Sequence, residues 1–124
     1  GVAIHTRLTA LLNSLPDTDV AALHTMGDRF AGAAGETAFR LATELLLRWL
    51  ERMIRGAACG AAPDEVAPCE AAAMRRLAGA ARLDRWLELW EKTARLFAGA
   101  EELNLDRKQA WIGAILEIES LARG

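Results

Sequence analysis

The sequence predicts an all-α fold, a single bundle of five to six helices packed around one central helix at about 37–55. Three observations carry this. Ala, Leu, Arg and Glu dominate, Tyr is absent and β-branched residues are sparse, which favours helix over strand at almost every position. Apolar residues recur at three- and four-residue spacings along most of the chain, the period of a helix face. From Thr37 to Arg55 they cover far more than one face. With Phe39 at zero and about 100° per residue, Phe39, Leu41, Ala42, Leu45, Leu46, Leu47, Trp49, Leu50, Met53 and Ile54 fill an arc of roughly 240°. The remaining polar stripe is Arg40, Glu44, Arg48, Glu51, Arg52 and Arg55. An ordinary surface helix has an apolar stripe of about 100°, so this one needs neighbours on several sides.

Helix 1 is expected from Val2 to Leu15, with Ile4, Leu8, Leu11, Leu12 and Leu15 on one face and Pro16 as its stop. Either Asp17 or Thr18 can cap the next helix, and Asp19 suits its positive end. Helix 2 then runs to about Ala31 and buries Val20, Leu23, Met26 and Phe30, with Gly27 letting a neighbour approach. Gly32-Ala33-Ala34-Gly35 reads as the link to the central helix, which Glu36 and Thr37 open and Gly56 closes. Ala57 to Pro68 reads as a long loop, with a possible helical turn at 61–65. Helix 4, about Cys69 to Ala80, is weak because Met74 and Leu77 are its only large apolar residues. Helix 5, about Arg82 to Glu102, has a main face of Leu83, Trp86, Leu87, Trp90, Ala94 and Phe97. Leu89, Leu96 and Leu103 form a second stripe about 120° away; it either packs on another helix of the domain or meets a partner chain. Helix 6, from Leu105 or Asp106 to Leu121, carries Leu105, Trp111, Ile112, Ile115, Leu116 and Ile118. Asp106 and Gln109 have capping-box spacing, with Asn104 as the competing cap. Arg-Trp-Leu-Glu occurs at 48–51 and 85–88 without matching flanks, which does not make a repeat.

At 124 residues the chain fits one domain, 1–124. A net charge of −2 supplies no global attraction to nucleic acid. The basic groups Arg48, Arg52, Arg55 and Arg75, Arg76, Arg82, Arg85 have acidic residues interleaved, so both read as solvated faces rather than phosphate patches. No apolar run approaches the roughly 20 residues of a membrane span, and the opening residues lack the order of a secretory signal. The expectation is a soluble, cytoplasmic protein.

Residues that carry chemistry are scarce. Cys59 and Cys69 have no histidine nearby and read as two free thiols. His5 and His24 lie at the borders of apolar faces, with no carboxylate three residues before either to make an iron-binding pair. Glu44, Glu51, Glu88 and Glu117 fall on polar faces beside arginines, the pattern of solvated helix pairing. There is no phosphate-binding loop and no nucleophile beside a base. No cofactor is expected.

The segment Leu83 to Glu119, with Trp90-Glu91-Lys92 and Leu103-Asn104-Leu105-Asp106-Arg107-Lys108-Gln109 within it, resembles the C-terminal collar domain of the delta-prime subunit of the bacterial DNA polymerase III clamp loader. Ala10-Leu11-Leu12-Asn13-Ser14-Leu15-Pro16 and Leu45-Leu46-Leu47-Arg48-Trp49-Leu50 are similar to that family in the same order. The resemblance implies a C-terminal piece of a longer subunit, a non-catalytic oligomerisation domain that supports loading of the sliding clamp in DNA replication. Its partners would be the gamma/tau and delta subunits through their own C-terminal domains, with neither nucleic acid nor membrane contacted. The family's AAA+ modules, bound zinc and arginine finger belong to its N-terminal portion, so no catalytic, cofactor or metal residue carries over. The resemblance implies that this fragment is not itself an enzyme, while the parent complex would be part of a DNA-directed DNA polymerase holoenzyme.

The expected contact residues are Leu89, Leu96 and Leu103, with Arg85 and Lys92 as rim charges. That expectation requires the leucines not to be fully enclosed by their own domain. The alternative is a helical ligand-binding regulatory domain with a pocket lined by Trp49, Trp86, Trp90 and Trp111.

Overall fold

The computed structural model describes residues 2–60, 69–102 and 106–124. Among them are six helices and no strand: α1 (Val2–Ser14), α2 (Val20–Asp28), α3 (Gly32–Cys59), α4 (Glu70–Ala78), α5 (Leu83–Glu102) and α6 (Arg107–Ala122). The all-α bundle is as expected. The rod is α3, which packs against α1, α4 and α5, while α6 packs against α5 and α2. Phe39, Ala42, Leu46, Trp49, Leu50 and Met53 of α3 are buried, and Leu45, Leu47 and Ile54 are half-buried against the core. Its wide apolar arc is therefore used on both flanks.

Four aromatic rings close the centre. Phe30, just after α2, meets Phe39 of α3 at 5.4 Å and Trp111 of α6 at 5.3 Å, both edge-on. Phe97 of α5 completes the circuit, edge-on to Phe39 at 5.8 Å and stacked on Trp111 at 6.3 Å. Edge-to-face and stacked pairs at such separations add about 0.5–1.5 kcal/mol each beyond the area they bury.

Several boundaries differ from expectation. The stretch 32–35 is the first turn of α3, and α2 ends at Asp28 rather than near Ala31. The reversal is made at Gly32, whose φ of 72° suits glycine. Gly35 is needed for a different reason: a Cβ there would fall on the Phe30 carbonyl and within 2.8 Å of the Arg29 oxygen. Nor does Gly56 end α3. Ala57 and Ala58 continue the helix, and it closes at Gly60, φ 64°, whose N–H donates to the Ala57 and Gly56 carbonyls. The expected turn at 61–65, and Leu103, Asn104 and Leu105, lie outside the described residues. Val20, expected in the core, is 60% exposed. Gly27 does admit a neighbour, since a Cβ there would stand 2.8 Å from the Lys108 Cγ. Asp106 caps α6 by accepting from the Gln109 N–H at 3.2 Å, as its spacing predicts.

The corner between α1 and α2, which contains a cis Leu15–Pro16 peptide, is tied down from distant helices. Arg76 of α4 donates to the Asn13 and Leu15 carbonyls, both at 3.0 Å. Arg123 donates to the Pro16 carbonyl at 3.0 Å. The Thr18 N–H donates to Glu119 Oε2 at 3.2 Å. Neither Asp17 nor Thr18 caps α2; Asp19 does, accepting from the Ala22 N–H at 3.1 Å. The Thr18 hydroxyl lies beside the same Glu119 carboxylate without completing a hydrogen bond. The Thr18 side chain first, then its N–H and the Arg123 guanidinium, outweigh partial burial and hold Glu119 below the ordinary glutamate value of 4.5.

Two stability predictions follow from these contacts. Gly35→Ala should lose about 1–3 kcal/mol or more through backbone overlap. Gly99→Ala, a helical site with nothing within 4 Å of a new Cβ, should gain about 0.5–1 kcal/mol. Urea melts of the pair would read opposite signs; equal losses would show that the Phe30 carbonyl is not the obstacle. For Glu119 the lowered folded pKa means a contribution present at neutrality and lost as pH falls through that lowered value. The advantage of the native chain over Glu119→Gln should therefore hold at neutrality and be lost only as pH falls below the ordinary glutamate value and through the lowered one. An advantage constant over that range would exclude the ionised carboxylate as its source.

Candidate subunit-docking groove

Arg85, Leu89, Lys92 and Leu96 stand on neighbouring turns of α5, at spacings of four, three and four residues, and so share one side of it. The structure brings all four to one wall of a groove between α5 and α6, with a volume of about 530 Å³. Leu89, Thr93 and Ala114 lie deepest, each at most 8% exposed. Leu96 is 38% exposed. Arg82 and Arg85 line the groove with Ala80, Ala81 and Gly124. Lys92 Nζ reaches Glu117 Oε1 of α6 at 3.4 Å, a solvent-exposed pair of the kind that contributes about 1 kcal/mol or less. Arg82 is engaged with Asp84 at 3.2 Å. Arg85 has no ion-pair partner among the described residues.

The leucine stripe is split. Leu89 belongs to the core rather than to a contact surface, Leu96 stays accessible, and Leu103 lies outside the described residues. The main face of α5 also differs from the expected one. Trp86, Leu89, Thr93, Phe97 and Ala100 are buried, whereas Leu83 and Leu87 are 39% and 47% exposed. The helix is rolled by about 60° from the orientation its large apolar residues suggest. Thr93 explains why this column is hard to see in the sequence. A buried threonine reads as polar, yet its hydroxyl donates to the Leu89 carbonyl at 2.7 Å and is satisfied inside its own helix.

The tryptophans divide by role. Trp86 and Trp111 are fully buried, and Trp90 donates its indole N–H to the Leu47 carbonyl at 3.1 Å. Trp49 lines a separate recess of about 160 Å³ between α1, α3 and α4. The basic groups are largely absorbed by structure. Arg52 meets Glu70 at 2.6 Å, Arg55 pairs with Glu51, and Arg76 holds the α1–α2 corner. His24 is exposed, and His5 is half-buried at the Trp49 recess. Cys59 and Cys69 are exposed free thiols. Among the described residues, no three His, Cys, Asp or Glu side chains group as a metal site, and no helix is long and apolar enough to cross a membrane.

No family model, curated protein or solved structure matches this chain.

Proposed function

We propose that the domain is a non-catalytic oligomerisation module, a collar domain of the clamp-loader delta-prime type, and that the α5–α6 groove is a surface through which it holds a neighbouring subunit. The observation that carries this reading is the groove itself. It combines a buried apolar floor, an accessible Leu96 and the charged side chains Arg85 and Lys92 in one lengthwise cleft. Interfaces of lasting assemblies are built this way, with an apolar centre that excludes water and a polar rim that sets register and speeds encounter. The sequence resemblance supplies the partners: the C-terminal domains of the gamma/tau and delta subunits. On this reading the domain works in the cytoplasm, touches no DNA and performs no reaction. It fixes its neighbours so that ATP-driven movement elsewhere in the complex opens the clamp.

Light scattering on the domain mixed with full-length partner subunits tests this. A discrete hetero-oligomer should form. Leu96→Asp should weaken it tenfold or more, since losing an anchor at an interface centre costs about 2 kcal/mol, while circular dichroism stays native. Arg85→Glu should slow association. Leu89→Asp is not a useful variant, because it would place a carboxylate in the core. A folded Leu96→Asp domain that assembles as well as the native chain would rule out the groove, and component masses in every mixture would rule out the collar reading.

A further inference from the structure

Helix α5 is open to solvent on two flanks, and the groove uses one of them. Arg85, Lys92 and Leu96 stand on the α6 side. Leu83, Leu87 and Ala94 lie about 180° round the helix from these three, on the α3 side, where Trp90 donates to the Leu47 carbonyl. The contacts of Phe39 with Phe97 and of Leu47 with Trp90 show that α3 and α5 run antiparallel. Two turns beyond Leu47, Ile54 therefore comes level with Leu83, two turns before Trp90. Leu83 and Leu87 are exposed, and Trp90, Leu47 and Ile54 are half-buried. They form one apolar strip along the α3–α5 seam rather than scattered single residues.

The two flanks carry free charges of opposite sign. At the groove Arg85 has no ion-pair partner among the described residues, and Lys92 holds only the exposed Glu117. Along the strip, Glu44 and Glu91 are exposed, come level with each other, and have no ion-pair partner among the described residues. The other charges of the seam are engaged nearby, Arg40 with Glu36 and Glu101 and Arg55 with Glu51. Glu88, at the outer edge of the groove, and Arg95 lie on the back of α5 between the flanks.

We infer that the groove of one copy of this chain receives the Leu83–Leu87 face of a second copy. The inference rests on the groove being a docking surface and adds the face that fills it. Leu83 and Leu87, one turn apart, enter lengthwise beside Leu96, and Glu91, four residues past Leu87, meets Arg85. Pairing like faces about a twofold axis would set Glu44 and Glu91 against their own copies, or Arg85 and Lys92 against theirs, which like charges oppose. The contact is therefore head to tail, and each added copy leaves a further groove and a further face free.

Sedimentation velocity on the domain alone, up to about 1 mM, should show a mass that rises with concentration. Leu96→Asp spoils the groove and Leu87→Asp spoils the opposite face, both at exposed positions. With native circular dichroism, each should stay at the monomer mass. Mixed in equal amounts they should form a dimer and nothing larger, because one intact groove then meets one intact face. Glu91→Arg should weaken self-association about tenfold, and Arg85→Glu added in the same chain should restore it. A monomer at every concentration, a Leu87→Asp domain that self-associates like the native chain, or a mixture that stays monomeric each overturns the inference. All three leave the collar reading to be decided by the mixtures with partner subunits.

Discussion

The structure depends first on the closed circuit of four aromatic rings, Phe30, Phe39, Phe97 and Trp111. Each ring comes from a different part of the chain, so the circuit fixes four backbone segments at once. It also sets the roll of α5. With Phe97 held between Phe39 and Trp111, the column through Trp86, Leu89, Thr93 and Ala100 turns inward and Leu83 and Leu87 turn out. The groove on the α6 side is thus a by-product of the core. Its floor is what the aromatic circuit forces inward, and its rim is the next residues around the helix.

A second device holds the periphery. Helix ends and corners leave carbonyl groups without partners, and here long side chains from other helices supply many of the missing donors. Arg107 donates to the Phe30 and Gly32 carbonyls at 2.6 and 2.8 Å, where the chain leaves α2 and turns into α3. Arg76 and Arg123 do the same at the α1–α2 corner. Of the basic residues grouped in the sequence, Arg76 serves such a corner, whereas Arg52, Arg55 and Arg82 pair with the carboxylates of Glu70, Glu51 and Asp84. Arg48 and Arg85 differ from them in having been given no such task.

What the sequence reveals follows from the range of the forces involved. The enclosure of α3, the stop at Pro16, the Asp106 cap and the close approach at Gly27 are local, or nearly so, and all were legible. The misread positions were decided either by the path of a tight turn, as at Gly35, or by groups far along the chain, as at Thr18. Gly35 looks like a linker because nothing nearby shows that the Phe30 carbonyl will lie against it. Thr18 looks like a cap, but its N–H is engaged by Glu119, 101 residues away, and Asp19 takes the role. In the candidate groove, Arg85, Lys92 and Leu96 could be found from spacing alone. The burial of Leu89 could not, because Thr93 and Ala100 disguise the column it belongs to. The Trp49 recess left no pattern either, since it joins residues of three helices.

The Lys92–Glu117 pair has a consequence for anything that enters the groove. Both side chains are more than half exposed and span from α5 to α6 at the groove whose buried lining is Leu89, Thr93 and Ala114. An occupant must share these two side chains with each other or displace one of them. Salt therefore acts in opposite senses: it screens the attraction of Arg85 and Lys92 for an incoming acidic group, and it loosens the strap that the occupant has to part. The groove should consequently respond less to ionic strength than its exposed charges suggest, as a cleft whose lid and lure are made of the same ions.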